Sequence, residues 1–250
     1  MGNDGIHIQQ PQLRLSSFAQ AKLLIGYQRY SLNVTLTPGP GCVPLHIDRI
    51  KDALSKRNWF WRGVSQGERS RAIERITALL DKLSAIRSTD TYKRTIGQDE
   101  VVSVYTTGSY PWHDAPGDID IYFIVKGKRP FKLTPLPKDE VDKICIAINP
   151  GGKIIGEIAL QVVGLDDLAS AAKDKHTKDC EVLQRKLLTL YGNGVHLAGA
   201  DMFDNVKPPI NDLLILAHHL RSIANKSEGL KKEKRLREAA LVEDFVRDIR

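Results

Sequence analysis

The stretch TTGSYPWHDAPGDIDIYFIV, Thr106 to Val125, decides how the rest of the chain is read. An apolar run, EVVSVYTT, ends on Gly108-Ser109, and the next apolar run opens with two aspartates one residue apart, Asp118 and Asp120. Successive side chains on a strand point to opposite faces. A strand DIDIYFIV therefore sends both aspartates to one face and Ile119, Ile121 and Phe123 to the other. Two carboxylates side by side repel, and leaving them unpaired beside a core is costly. A divalent cation removes that penalty, and magnesium in particular takes one or two carboxylates together with the phosphate oxygens of a substrate. Glycine at 108 lets the backbone turn sharply and approach a ligand with no Cβ in the way. The amides and hydroxyl that follow it can hold a phosphate. The residues thus place a phosphate cradle at the end of one strand and half a metal site at the start of the next.

This arrangement resembles the signature of the nucleotidyltransferase superfamily, the fold of DNA polymerase β: an apolar strand, Gly-Ser, a short gap, and Asp-apolar-Asp inside a second strand. The resemblance covers the centre of the chain and is silent about both ends. It implies that Asp118 and Asp120 bind metal, and that Gly108 and Ser109, with their neighbours Thr107 and Tyr110, contact a nucleoside triphosphate. It also implies a third acid on a later strand. In GEIALQVVGLDDL, Glu157 opens a strand and shares a face with Ala159 and Gln161, so it is favoured for that place. Asp166 and Asp167 remain the competitors; they follow the strand and precede LASAAK, where helix capping accounts for them. The implied reaction is in-line attack by an acceptor hydroxyl on the α-phosphate, with Mg2+ (or Mn2+) held by the three acids and pyrophosphate leaving. Glu157 would accept the attacking hydroxyl's proton or complete a metal's shell. One departure stands out. Only eight residues separate Ser109 from Asp118, and Pro111 and Pro116 are among them, so the helix that usually follows Gly-Ser is at most a single turn.

Working outward, residues 1–97 read as mostly helical. Helices are expected over Ser17–Arg29, from Ile47 through IDRIKDALSKRNWFW, and over Gly67–Arg87, where Ile73, Ile76, Leu79, Leu80 and Leu83 form a 3.6-residue stripe. The cluster TPGPGC, Thr37 to Cys42, is a turn. Four strands are expected between residues 98 and 172: EVVSVYTTG, DIDIYFIV, KICIAIN and KIIGEIALQVV, the last two joined by Pro150-Gly151-Gly152. Helical patterns return at 174–191, 209–225 and 228–250. YGNGVHLAGAD, Tyr191 to Asp201, is similar to the loop that links the catalytic core of small nucleotidyltransferases to a C-terminal bundle. The expected fold class is α/β: a mixed β-sheet nucleotidyltransferase core at 98–172, N-terminal helices at 1–97, and a C-terminal helical bundle at 173–250.

Composition sets the outer bounds. The chain has 250 residues, 42% of them hydrophobic, which is enough for a sizeable core. No apolar run approaches the ~20 residues that span a bilayer. The start, MGNDGIHIQQPQLRL, has no secretory pattern, and three scattered cysteines without a CxxC pair point to a reducing cytoplasmic setting with no disulfide framework or structural zinc. The net charge of +7 favours polyanionic partners. An RNA or tRNA end fits that charge as acceptor; a small molecule, including an antibiotic, or a protein acceptor is the other choice. The competing class is a nucleotide- or RNA-binding protein on the same fold that performs no transfer.

Other features have plainer readings. In KKEKRLREAALVEDFVRDIR, ion pairs Glu228–Lys232, Glu233–Arg237 and Glu243–Arg247 are expected on a solvated helix. His218-His219 face different ways on an apolar helix, and RNWFWRG reads as core aromatics with a basic rim. Lys126 and Lys128 either protect a strand edge or steer triphosphate, and His113 and Asp114 lie in the loop beside the phosphates.

Overall fold

A computed structural model of the chain describes residues 42–113, 116–147, 154–173, 178–203 and 206–250. The helix expected over Ser17–Arg29, the turn at Pro150-Gly151-Gly152 and Asp114 lie outside the described residues. Four helices lead in: α1 (Ile47–Arg57), α2 (Trp59–Gly63), α3 (Gln66–Ser88) and α4 (Asp90–Thr95). Then come β1 (Val101–Thr107), β2 (Asp118–Val125), β3 (Lys132–Pro135), α5 (Lys138–Ile144), β4 (Glu157–Gly164), α6 (Leu165–Lys173), α7 (Lys178–Gly192), β5 (Val195–Gly199), α8 (Ile210–Asn225) and α9 (Gly229–Asp248).

The long helix α3 begins where the sequence supplies a reciprocal cap. Ser65 Oγ accepts the Glu68 amide, and the Glu68 carboxylate accepts the Ser65 amide at 2.8 Å, which holds Glu68 down at about 2. Its stripe then buries Ile76, Leu79, Leu83 and Ile86.

The five strands form one mixed sheet in the order β3-β4-β2-β1-β5, with β2 parallel to β4 and the other pairs antiparallel. The parallel pair needs a crossover, and β3 with α5 supplies it. Ile119, Ile121 and Phe123 are fully buried, as the alternation requires. A single apolar cluster runs from Ile50 through Ile119, Leu160 and Leu197 to Val246, so the helical ends and the sheet share one core.

Two segments differ from expectation. The described part of KICIAIN, Lys143 to Ala147, is not a strand: α5 takes its first residues, and Ala147 makes an isolated bridge, to Ile154. Pro137 starts the helix, Asp139 and Glu140 sit in its first turn where the helix dipole favours acids, and Val141 and Ile144 fall one turn apart. Glu140 also accepts the Asp90 and Thr91 amides at the start of α4. YGNGVHLAGAD is not a linker: Val195–Gly199 is β5, paired with β1, so the sheet takes a strand from beyond residue 172. Glycine is required just before it. A Cβ on Gly192 would lie 1.6 Å from the Trp59 ring, and one on Gly194 would lie 2.2 Å from the Leu190 carbonyl oxygen.

A buried polar knot fixes β5 to α1 and β1. Arg57 donates to Asp201 at 2.7 Å, Tyr105 OH donates to the same carboxylate at 3.1 Å, and His196 stacks on Tyr105 with a ring nitrogen 2.9 Å from the Ala198 carbonyl.

Candidate functional site

The sheet register assembles the acidic half of the site. Thr107 lies opposite Asp120 across β1 and β2, and Asp118 lies opposite Glu157 across the parallel β2 and β4. The chain leaves β1 at Gly108 with φ +83°, a left-handed turn that suits glycine. A Cβ there would sit 3.5 Å from Asp120 Oδ2, so the turn passes directly over the carboxylate. Asp118 is exposed and Asp120 half-buried. Burial pushes the Asp120 carboxyl up, and the charges of Asp118 and Glu157 push the same way. The Gln161 hydrogen bond and the Lys186 charge oppose them. Gln161 Nε2 donates to Asp120 Oδ1 at 2.8 Å, while Lys186 donates to Gln161 Oε1 at 3.2 Å and to the Tyr122 hydroxyl at 3.3 Å. Lys186 also lies 3.9 Å from the Phe131 ring centroid, and burial pushes its ammonium down.

The loop after Gly108 is held from outside. Arg75, buried in α3, donates through Nη1 to the Tyr110 carbonyl at 3.1 Å and to the His113 carbonyl at 2.5 Å, and Tyr110 OH donates back to the Arg75 carbonyl. This cross-tie stands where a loop with Pro111 and Pro116 cannot continue as a helix. Phe60 of α2 stacks on Trp112 and meets His113 edge-on.

The basic half comes from the far end of the chain. α9 packs along α8 and crosses α2, where Leu241 Cδ2 occupies the space a Cβ on Gly63 would need. This brings Lys231, Lys234, Arg235 and Glu238 to face the acids across a cavity of about 260 Å³. Phe60, Gly108, Ser109, His113, Asp118, Asp120 and Asn193 line the rest. The ion pairs expected along α9 do not form. Arg237 reaches Glu68 of α3 at 3.1 Å, Glu243 takes Arg221 of α8 at 2.6 Å, Arg247 pairs with Asp244, and Arg235 pairs with the buried Glu238 at 2.9 Å. For Arg237 and Glu243, neighbouring helices offer closer partners than the next turn of α9 does. Lys231 and Lys234 enter none of these pairs, and among the described residues no ion pair joins them to Asp118 or Asp120 across the cavity.

Of the expected site residues, Gly108, Ser109, Asp118 and Asp120 line the cavity, together with His113. Two are placed elsewhere. Tyr110 is fully buried with its hydroxyl committed to Arg75, and Thr107 is buried with its side chain engaged by Tyr122. Glu157 stands at the strand start beside Asp118 but is exposed and outside the lining. Asp167 accepts the Arg129 amide at 2.6 Å, and Lys126 pairs with Glu100 at the other end of β2. Asn193, Lys231, Lys234, Arg235 and Glu238 were not anticipated; the only signal in the sequence was the run of lysines and arginines at the start of α9.

Two adjacent carboxylates on one strand face, one open to solvent, with room for phosphate oxygens, fit Mg2+ as it is usually held. A complete cage does not form: among the described residues no group of three or more His, Cys, Asp and Glu side chains is arranged to hold a metal ion. No described helix is long and apolar enough to cross a membrane.

Comparison with protein-family models, with curated proteins and with solved structures finds no match for this chain.

Proposed function

We propose that the cavity binds a nucleoside triphosphate with a divalent cation and transfers its nucleoside monophosphate to an acceptor hydroxyl, releasing pyrophosphate, as in the superfamily that the Gly-Ser and Asp-Ile-Asp segments resemble. One observation carries this reading. The acids of β2 and the cations of α9 face each other across one cavity without pairing, and they flank a glycine turn that leaves backbone room beside Asp120. A metal-bound polyphosphate carries charge of both signs and so meets the acids and the cations at once.

In this reading Ser109 and the amides after Gly108 hold phosphate oxygens, and Lys231, Lys234 and Arg235 take the remaining negative charge. Glu238 anchors Arg235 with a carboxylate 2.9 Å from its guanidinium. Asp118 and Asp120 hold Mg2+ or Mn2+, with Gln161 fixing the orientation of Asp120. The cation, when bound, neutralises charge at the α-phosphate. The acceptor oxygen forms its bond to the α-phosphorus as the bond to the bridging oxygen breaks; pyrophosphate leaves with that electron pair, and Glu157 beside Asp118 takes the acceptor's proton.

The test supplies each α-labelled triphosphate with Mg2+ or Mn2+ and separated cell fractions of RNA, protein and small molecules. Label should enter one fraction with release of pyrophosphate, and Asp118→Asn or Asp120→Asn should each lower the rate by about a hundredfold or more without unfolding the chain. Triphosphate binding with no pyrophosphate release from any fraction refutes transfer and leaves a nucleotide-binding module.

A further inference from the structure

Behind the acids of β2 stands a neighbour that is not an acid. On the site face β4 carries Glu157, Ala159 and Gln161, which the parallel register sets opposite Asp118, Asp120 and Tyr122. Glu157 is exposed and outside the cavity lining, so Asp120 is met from β4 by a methyl group and an amide. Gln161 is buried, and its Nε2 donates to Asp120 Oδ1 at 2.8 Å.

A glutamine can serve a divalent cation through its carbonyl oxygen. Here that oxygen is taken. Lys186 Nζ donates to Gln161 Oε1 at 3.2 Å, and an ammonium can only donate, so the amide cannot turn over. Its NH2 group is therefore held toward Asp120, and it presents hydrogens, not lone pairs, on that side. The lysine is itself fixed: it donates to the Tyr122 hydroxyl at 3.3 Å and lies 3.9 Å from the Phe131 ring centroid. One positive charge is thus built into the fold a single amide away from Asp120.

Where two divalent cations share a site they lie about 3.5–4 Å apart. A second cation on the inner side of Asp120 would meet the amide hydrogens and, behind them, the ammonium. Glu238, the remaining carboxylate of the cavity, is held by Arg235 and Asn193. Asp118 and Asp120 Oδ2, beneath the Gly108 turn, are left for one cation.

We infer that Gln161 and Lys186 are positioning residues that close the inner side of Asp120, so that the site takes one divalent cation and a fixed ammonium in place of another. This deepens the reading above and rests on it for the place of the cation. With that cation serving the phosphates, the acceptor's proton is left to Glu157.

The experiment counts Mn2+ bound to the full chain by electron paramagnetic resonance, alone and with an α,β-methylene triphosphate analogue that cannot be transferred. Wild type should bind one Mn2+ per chain, with no spin coupling to a second. Gln161→Glu exchanges the amide for a carboxylate of almost the same shape. It should admit a second ion, and the spectrum should show the coupling of ions about 3.5–4 Å apart. Gln161→Glu/Lys186→Met should bind that second ion at least about tenfold more tightly, because no ammonium then competes for the new carboxylate. The single variant keeps the test decisive if the double one does not fold. Two coupled ions in wild type, none in either condition, or a count of one in folded Gln161→Glu each overturns the inference. Failure of label transfer by a wild type that holds one Mn2+ would instead remove the transfer reading and leave the cation count standing.

Discussion

His196 offers a direct energetic check on how β5 is built into the sheet. It is 4% exposed, stacked on Tyr105 at 4.8 Å between ring centroids, with Arg57 nearby. Burial pushes its imidazole down from 6.5 to about 4, and Arg57 pushes the same way. Asp201, whose carboxylate lies 3.9 Å from Nδ1, and the Ala198 carbonyl oppose. Between these values the unfolded chain binds a proton that the folded chain refuses, so stability must rise with pH across that window. The contribution is fully present above 6.5 and is lost as pH falls towards 4. A gap of about 2.5 pH units at 1.36 kcal/mol per unit gives about 3 kcal/mol. That is a large share of a typical domain stability of roughly 5–15 kcal/mol. Other groups act differently. Asp201 is held low and contributes only below the ordinary aspartate range, whereas Asp120 and Glu238 are held high and give a slope of opposite sign. His219 is held low and adds to the slope of His196. The comparison is therefore between wild type and His196→Gln, by urea unfolding from pH 7.5 to 4 at constant ionic strength. The stability difference should shrink by about 3 kcal/mol over that range. Parallel curves would show that His196 carries no such penalty, and the account of the buried knot would be wrong.

Two glycines give further predictions. Gly192→Ala drives a methyl to 1.6 Å from the Trp59 ring, so it should lower unfolding stability by about 1–3 kcal/mol in the same urea assay, and an unchanged midpoint would contradict the close approach. Gly108→Ala meets only an ordinary contact with Asp120 but must adopt φ +83°. It should cost about 1–2 kcal/mol of stability and weaken triphosphate binding more than that; triphosphate affinity equal to wild type would remove the turn from the phosphate-binding role.

What the sequence disclosed followed from local rules. The alternation in DIDIYFIV and the stripe in α3 involve neighbours along the chain, and both appear where the periodicity puts them. What it withheld depended on distant partners. KICIAIN carries β-branched residues, yet Pro137 and the acids after it start a helix whose Glu140 is used to cap α4, nearly fifty residues away along the chain. VHLAG was hidden between glycines that look like loop material. Those glycines are needed because Trp59 and the end of α7 leave no room for side chains. The basic start of α9 looked solvated because acids stood four residues before Lys232, Arg237 and Arg247, but Arg237 pairs with Glu68 of α3, Glu243 with Arg221 of α8 and Arg247 with Asp244.

That last difference bears on the site itself. A pair of aspartates at a strand start is only half of a binding site, and by itself it would be a repulsive edge open to water. The other half arrives only if α9 is seated, and its seat is made by the lead-in helices: Leu241 fills the gap at Gly63, Arg237 reaches the capping Glu68 at 3.1 Å, and Arg62 lies 5.0 Å from the Phe245 ring centroid. Helices from both ends of the described chain must therefore close on the sheet before positive and negative groups face each other. The electrostatic cost of bringing them there is borne by apolar packing elsewhere, through Trp59, Phe245 and Val242 in the shared core. The sequence pattern at 106–125 can specify the acids and the turn, but the cavity is a property of the whole fold, since it exists only where residues more than a hundred positions apart are held in register by that core.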